Sequence, residues 1–285
     1  MTLKVIAYAR NGHTDKFGIP RQSRDESPIL TRIVFEPGYR VAEALRGIEG
    51  YSHLWLIWGF SRSFSSHTSS STAWHEVLGD ARSPQKLEIS GDPNKLEWSP
   101  TVRPPRLGGN KRMGVFATRS PFRPNPIGLS SVRLIGIQHS DVSHQLELIV
   151  SGADVLDGTP IYDIKPYLSF SDSHPDALNG FAEETKDRML EVDWSGVAFS
   201  CQGDLGLTSA EKPANNVEIS RLQRANHALL SGLKDDIEYI LRQDPRPAYQ
   251  NDPERVYKMD YAGYTISFLV KEQTVFVKKI EKTVN

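Results

Sequence analysis

Two short stretches of the sequence hold most of the side chains that could do chemistry. Residues 101–127 read TVRPPRLGGNKRMGVFATRSPFRPNPI, and residues 151–170 read SGADVLDGTPIYDIKPYLSF. The first stretch is rich in arginine, whereas the second carries Asp154, Asp157 and Asp163. Cations in a rigid loop can bind an anionic group, and carboxylates can accept hydrogen bonds or move a proton. Together the two stretches predict a site for a charged or polar ligand.

The arginine-rich stretch carries a local charge that the chain as a whole lacks. The chain has 34 Lys and Arg against 35 Asp and Glu, a net charge of −1, so affinity for a polyanion has to be local. No acidic residue occurs between Trp98 and Ser140, where there are seven cations: Arg103, Arg106, Lys111, Arg112, Arg119, Arg123 and Arg133. The prolines fix φ and stiffen this loop. The pattern indicates phosphate binding, with a solvated basic loop as the alternative.

The aspartate-rich stretch is open to several interpretations. Asp157 and Gly158 predict a turn, so a purely structural hairpin is one of them. A metal-dependent phosphoester hydrolase is another, but the spacing of the aspartates matches no metal-site motif, and we predict no metal. Cys201 is the only cysteine, which excludes a four-thiolate zinc site and the three-cysteine cluster of radical SAM chemistry. The sequence also lacks dinucleotide-binding, P-loop, zincin and nucleophile-elbow motifs.

Short strands dominate the part of the chain that contains both stretches. Alternation and apolar runs predict strands at Leu3–Tyr8, Thr31–Phe35, Tyr51–Phe60, Gly114–Ala117, Ser130–Ile137 and Leu146–Ser151. No amphipathic helix of ordinary length is predicted before about Asp176, although a doubly wound fold would need several. The predicted fold class is therefore mainly β, with a small antiparallel β-barrel over residues 1–172 and an insertion at about 62–99.

A second, α+β domain is predicted over residues 173–285. Apolar residues spaced three or four apart predict a long helix at Val217–Gln243. Alternating segments predict a three-stranded sheet at Arg255–Met259, Tyr264–Val270 and Thr274–Ile280, and Phe181–Val192 is interpreted as a modest helix before it. Because the sequence has neither a membrane-length apolar run nor an N-terminal cleavage pattern, we expect a cytoplasmic protein with no membrane partner.

Five strings of the sequence resemble a known family. The strings GIPRQSR, GYSHLWLIWGFS, TVRPPRLGGNKRMGVFATRSPFRPNPIGLS, VLDGTPIYDIKPYL and DPRPAY look like signature segments of the TsaA-like family, specifically its bacterial tRNA threonylcarbamoyladenosine N6-methyltransferases. The resemblance covers about residues 3–60 and 100–172, and reaches the C-terminal domain at Asp244–Tyr249. It implies a small antiparallel barrel that forms a homodimer and binds S-adenosyl-L-methionine (SAM) near the subunit interface.

The resemblance also implies an activity and a partner. Similar proteins use SAM to methylate N6 of the threonylcarbamoyl-modified adenosine at position 37 of tRNA, next to the anticodon. The alternative from a different class is a SAM-binding or RNA-binding module without turnover. The C-terminal domain is expected to bind tRNA, with a packing or dimerisation module as the alternative.

Family positions, carried over residue by residue, define the candidate site. Cofactor contacts are implied at Ser23, Arg24, Asp25, Ser61, Arg62, Arg119, Leu129, Ser151, Gly152, Ala153 and Asp154. A donor with a sulfonium, an adenine ring and a carboxylate needs an acceptor, an apolar surface and a cation, which Asp154, Leu129 and Arg119 can supply. The candidates for removing the N6 proton are Asp157, Tyr162 and Asp163. The candidates for binding RNA are Arg103, Arg106, Lys111, Arg112, Arg123, Arg246 and Tyr249.

Overall fold

The structure is a computed structural model that covers most of both predicted domains. It describes residues 3–20, 22–60, 99–104, 111–140, 145–183, 189–197, 232–246 and 252–283. The predicted insertion at about 62–99 lies almost wholly outside the described residues, as does the first half of the predicted helix at 217–243. None of the described helices has both the length and the apolar character that crossing a membrane would require.

Strands account for most of the regular structure in the described residues. They are β1 (Ala7–Arg10), β2 (Leu30–Phe35), β3 (His53–Gly59), β4 (Thr101–Val102), β5 (Met113–Gly114), β6 (Ile127–Ser140), β7 (Gln145–Ser151), β8 (Pro160–Pro166), β9 (Glu191–Asp193), β10 (Tyr257–Tyr261), β11 (Tyr264–Lys271) and β12 (Thr274–Lys282). Helical segments are short: α1 (Ser169–Asp172) and the 3-10 turns Pro37–Tyr39, Ala42–Leu45, Ile48–Gly50, Val115–Ala117 and Gly180–Ala182. Residues 232–242 form a longer helix.

Six of these strands close into an antiparallel barrel, which confirms the predicted fold class. They pair in the order β1-β2-β7-β6-β3-β8, and β8 pairs with β1 to close the ring. In β3, Leu54, Leu56 and Trp58 are buried in the barrel core, whereas the residues between them are partly exposed up to Ile57. This alternation follows from the two-residue period of a strand, in which successive side chains point to opposite faces.

Three of the strands predicted before residue 152 have wrong bounds. The first, predicted at Leu3–Tyr8, spans Ala7–Arg10. Of the segment predicted at Gly114–Ala117, only Gly114 lies in a strand, β5, because the Thr118 N–H donates to the Val115 carbonyl at 3.1 Å and closes a 3-10 turn over the other residues. The strand predicted at Ser130–Ile137 is longer and spans Ile127–Ser140. It pairs with β3 at one end and with β7 at the other, so neighbours on both sides extend its ladder.

The C-terminal part of the chain forms a four-stranded sheet with the order β10-β11-β12-β9. Three of its strands match the predicted sheet within a few residues. The fourth, β9, replaces the C-terminal end of the helix predicted at Phe181–Val192, because Glu191–Asp193 pair in parallel with Thr274–Phe276. The sheet and the 232–242 helix enclose a second apolar core that includes Ile237, Leu241 and Phe268.

The chain between β1 and β2, which we call the junction loop (residues 11–29), belongs to this second core as well as to the barrel. Ile29 is buried among the residues of the C-terminal core, and Phe17 packs against it. His13 is also buried and lies edge-on to Tyr261 at 5.2 Å between ring centroids. The junction loop therefore connects the two cores.

Candidate functional site

A cavity of about 620 Å³ lies between the junction loop and the barrel. Its lining comes from four parts of the chain: residues 16–22 of the junction loop, the end of β3, residues 118–129, and residues 154–159 after β7. Pockets that bind small organic molecules have volumes of about 300–1,000 Å³. This cavity is therefore large enough for a nucleoside-sized ligand.

One side of the cavity, the barrel wall, is built around a hydrogen-bonded chain of Trp58, Ser130 and Asp154. Trp58 Nε1 donates to Ser130 Oγ at 2.8 Å, and Ser130 Oγ donates to Oδ1 of Asp154. Burial raises the pKa of Asp154, while the bond from Ser130 and the positive charge of Arg119 oppose that shift. These hydrogen bonds fix the orientation of Asp154, so its carboxyl group can accept a hydrogen bond from a ligand at a fixed position.

The opposite side, the loop wall, consists of Lys16, Ile19, Pro20 and Gln22 of the junction loop. Arg119 connects the two walls, because its Nη1 donates to Oε1 of Gln22 while its charge acts on Asp154. The cavity thus holds a guanidinium and a buried carboxyl group together with apolar surface. Such a site fits a ligand that has both an anionic and a cationic group.

The turn that carries Arg119 is held by hydrogen bonds from Arg123 and Thr118. Arg123 Nη1 donates to the carbonyl oxygens of Thr118 at 3.1 Å and of Ser120 at 3.4 Å. The Thr118 hydroxyl donates to the Val115 carbonyl at 2.8 Å. Arg123, a predicted RNA contact, therefore lines the cavity and braces the turn at the same time.

Three of the predicted cofactor contacts, Arg119, Leu129 and Asp154, line the cavity. Ser23 lies beside them, since its backbone N–H bonds to Asp154 and its hydroxyl donates to the Ser131 carbonyl. The segment Ser151–Ala153 is buried behind the barrel wall.

The segments around Arg24 and Asp154 lie close together because Gly152 has no side chain. Gly152 has φ +83°, and a Cβ on it would lie 2.4 Å from the Arg24 carbonyl oxygen. Only glycine allows both this backbone conformation and this contact without strain. Arg24 itself directs its guanidinium to Glu26 at 3.3 Å.

The structure gives Asp25, another predicted cofactor contact, a different set of partners. Its carboxylate accepts bonds from Arg133 Nε at 2.6 Å and from Arg133 Nη2, and it lies 2.9 Å from Nε2 of His53. The hydrogen bond from Arg133, followed by that from His53, holds the pKa of Asp25 far below its usual range. Asp25 is absent from the described lining of the cavity, and its side chain is committed to this ion pair.

The three candidates for proton removal, Asp157, Tyr162 and Asp163, lie around the cavity rather than in its lining. Asp157 pairs with Arg10 at 3.5 Å, in a turn flanked by the lining residues Leu156 and Thr159. The Tyr162 hydroxyl packs against Gly59 behind β3, and burial raises its pKa. Asp163 pairs with Lys165 at 3.0 Å, and about half of its side chain is exposed.

Of the predicted RNA contacts, Arg103, Lys111 and Arg112 are exposed in the basic stretch. Arg246 differs, because only 8% of it is exposed and its Nε donates to Asp244 at 2.8 Å. Asp244, which follows the end of the helix, has φ +48°. Its carboxylate accepts hydrogen bonds from both Nε and Nη2 of Arg246, so this guanidinium is engaged within the protein. Four further predicted site residues lie outside the described residues: Ser61, Arg62, Arg106 and Tyr249.

Sequence reasoning missed Trp58, Ser130 and Gln22 as members of the site. Trp58 and Ser130 both belong to predicted strands, Tyr51–Phe60 and Ser130–Ile137, and the strand pattern alone assigns them no role in a site. The available signal was the period of β6, because a serine at an inward position between apolar residues requires a hydrogen-bond partner. Gln22 lies within the string GIPRQSR, one position before the implied contacts.

Comparison with known proteins adds an independent line of information. The N-terminal domain model of tRNA-methyltransferase O matches residues 8–81 and 79–173, and the C-terminal domain model of TrmO matches residues 213–283. A tRNA (adenine(37)-N6)-methyltransferase of Eikenella corrodens is 42% identical over 183 residues, which is 64% of this chain and 87% of that protein.

Two further comparisons cover nearly the whole chain. A putative S-adenosylmethionine-dependent methyltransferase of Pseudomonas aeruginosa, RcsF, is 36% identical over 259 residues, which is 90% of this chain and 87% of that protein. A crystal structure of TrmO superimposes with a TM-score of 0.64 at 26% identity, over 98% of each chain.

Proposed function

The chain belongs to the tRNA-methyltransferase O family, and from this membership we propose that it is a SAM-dependent enzyme that methylates N6 of adenosine 37 of tRNA, next to the anticodon. We further propose that the substrate adenosine carries a threonylcarbamoyl group. The observation that carries the proposal is the cavity in which Arg119 faces the buried carboxyl group of Asp154 across apolar surface.

The residues of this cavity fit a methyl donor of the SAM type. Arg119 would hold the carboxylate of the donor, and Asp154 would accept hydrogen bonds from its ribose hydroxyls or its ammonium group. Trp58 and Leu129 offer apolar surface for the adenine ring. The Ser23–Asp25 and Ser151–Ala153 segments would support this site through the backbone, since the Ser23 hydroxyl and the Asp25 carboxylate contact β6 and Ser151 and Ala153 are buried.

When bound, the donor supplies a methyl group on a positively charged sulfur: N6 would form a bond to the methyl carbon in line with the C–S bond, which breaks and releases a neutral thioether. The main task of the protein is then to hold two reactants in a productive alignment. A carbamoyl group on N6 withdraws electron density, so an acceptor for the N6 proton assists the reaction. We propose Asp157 for this role among the three candidates, because its turn is flanked by two residues of the cavity. Tyr162, with its raised pKa, would remain a neutral hydrogen-bond donor.

The exposed cations of the basic stretch are the proposed contacts for tRNA. Arg103, Lys111 and Arg112 lie on the same segment as the turn that carries Arg119. An anticodon-loop base is unpaired, so it can leave its stack and enter a pocket while the phosphates are held outside. We propose that these cations bind the backbone on either side of the modified base, in the cytoplasm where tRNA is found.

A homodimer is the proposed assembly. Three apolar residues of β6 are exposed: Leu129, which is 56% exposed, Ile127 and Ile135. Exposed apolar side chains on one strand are the support for this proposal, because a subunit interface would bury them. Light scattering on the purified chain tests this, and a mass near 32.0 kDa rather than twice that value would contradict it.

The activity is tested by incubating the purified protein with methyl-labelled SAM and tRNA. We expect label on tRNA that carries the threonylcarbamoyl group, and little on the same tRNA without it. A tRNA of the same sequence with guanosine at position 37 is the matched control. Equal labelling of the first two substrates would reject the stated specificity. SAM binding by calorimetry with no labelling at all would instead support a binding module without turnover.

A further inference from the structure

The junction loop has two faces that serve different parts of the molecule. One face is the loop wall of the cavity, formed by Lys16, Ile19, Pro20 and Gln22. Phe17 and Gly18, which lie between Lys16 and Ile19 along the chain, contact the C-terminal core instead. A displacement of the loop on one face therefore has to change the contacts on the other face.

The contacts with the C-terminal core are numerous and mostly apolar. The Phe17 ring stacks on Tyr257 at 6.5 Å between centroids with an interplanar angle of 10°, and it lies 6.4 Å from the Phe268 ring. The next residue, Gly18, lies against Met259 and Ile240. Phe17 and Gly18 thus rest on β10, β11 and the 232–242 helix, directly between Lys16 and Ile19 of the cavity.

The start of the junction loop is fixed to the same sheet by close backbone packing. The Ala262 N–H donates to the Gly12 carbonyl at 2.8 Å. A Cβ on Gly12 would lie 2.6 Å from the Tyr261 ring, so no other residue fits here without displacement of that ring. Tyr261 is held in turn, because its hydroxyl donates to Asp236 of the helix at 2.7 Å.

We propose that the C-terminal core positions the loop wall of the cofactor cavity, with Phe17 as the principal positioning residue, so that cofactor binding and the packing of the C-terminal core are coupled. This role is additional to any contact of the C-terminal domain with tRNA. It rests on the proposed function to the extent that the ligand of the cavity is SAM. Coupling of this kind is reciprocal: whatever holds the loop in place strengthens binding, and binding holds the loop against the core.

The test compares SAM dissociation constants, measured by calorimetry, for the wild-type chain and three variants. Phe17→Ala removes the ring that contacts the core, and we expect it to raise the Kd for SAM roughly tenfold. Phe17→Leu keeps an apolar side chain and should recover most of the affinity. Val275→Ala is the matched control, because Val275 is buried in the same core but lies on β12 between β11 and β9.

A merely structural role would make Phe17→Ala and Val275→Ala equal in their effect on Kd, and that result would overturn the proposal. A positioning role also predicts that Phe17→Ala raises KM for SAM while kcat at saturating SAM changes less than about threefold. If Phe17→Ala fails to fold, hydrogen exchange in the wild-type chain decides: SAM should slow amide exchange in β10 and β11, and unchanged exchange would overturn the proposal. Absence of SAM binding by the wild-type chain would overturn the proposed function as well, whereas equal Kd values in all variants would overturn this inference alone.

Discussion

The two walls of the cavity are built in different ways. The barrel wall consists of residues on or next to strands that are paired on both sides, and its polar groups are linked from Trp58 through Ser130 to Asp154. The loop wall has no strand of its own and takes its position from apolar packing of Phe17 on a different core. The difference shows that strand pairing holds Trp58 and Ser130 of the barrel wall, whereas on our proposal the position of the loop wall depends on the C-terminal core.

The largest effect is expected where the two walls meet, at Arg119. Arg119→Ala removes the cation of the cavity and its bond to Gln22. Because hydrogen bonds to charged groups are worth about 1.5–3 kcal/mol, we expect the Kd for SAM to rise by up to about a hundredfold. Calorimetry on the purified variant measures this change.

Arg103→Ala is the matched control for Arg119→Ala, because Arg103 is exposed on the same basic segment. It should leave the Kd for SAM unchanged, weaken tRNA binding, and lower the slope of log K against log salt concentration by about 0.7–1. Equal effects of the two substitutions on SAM affinity would contradict the division of roles between the cavity and the basic stretch.

A smaller effect is expected within the barrel wall, at Ser130. Ser130→Ala leaves the Trp58 N–H and the Asp154 carboxyl group without the bonds they share, and an unsatisfied buried polar group costs about 1–3 kcal/mol. We expect the Kd for SAM to rise roughly tenfold, since Asp154 loses its fixed orientation. Ser131→Ala is the control, because successive residues of β6 face opposite sides and Ser131 uses its carbonyl group for Ser23. If the Ser130→Ala variant and the wild type had the same Kd for SAM, the hydrogen bond from Ser130 would not be what orients Asp154 for binding.

The smallest effect is expected at His13 of the junction loop, and it concerns the free energy of unfolding at mildly acidic pH. Burial lowers the pKa of His13 to about 4, below its ordinary value of 6.5. A group with a lowered folded-state pKa stabilises the fold above its unfolded pKa, and this stabilisation is lost as pH falls towards 4. We expect the free energy of unfolding to fall by about 1 kcal/mol between about pH 7.5 and about pH 6. In this range His13 takes up a proton in the unfolded chain but not in the folded one.

His13→Gln isolates this contribution. Asp236, which accepts the Tyr261 hydroxyl bond, has a pKa raised by burial, so its own contribution changes with pH in the opposite direction. The difference between the denaturation profiles of the wild type and His13→Gln removes that background. Parallel profiles from about pH 7.5 to about pH 6 would show that His13 is not the group that couples the junction loop to pH.

Much of the barrel and part of the site follow from the sequence. The strands predicted at Thr31–Phe35, Tyr51–Phe60 and Leu146–Ser151 match β2, β3 and β7 within a few residues, because apolar and β-branched segments of this length between turn residues favour strands. Arg119, Leu129 and Asp154 were predicted as members of the site from the family resemblance, and all three line the cavity. The hydrogen-bond partners of Asp25 could not be predicted from the sequence, because Arg133 and His53 lie 108 and 28 residues away along the chain.

The sequence by itself determined the mainly β fold class, which segment is basic, and to which family the chain is similar. Only the tertiary structure decided that Ser130 orients Asp154, that Glu191–Asp193 join the C-terminal sheet, and that the junction loop packs on the second core. The physical reason is that the periodicity of apolar residues indicates which side chains are buried, but it does not indicate which other residues they pack against. The identity of the partner is set by contacts between residues far apart in the chain, which appear only when both cores are assembled.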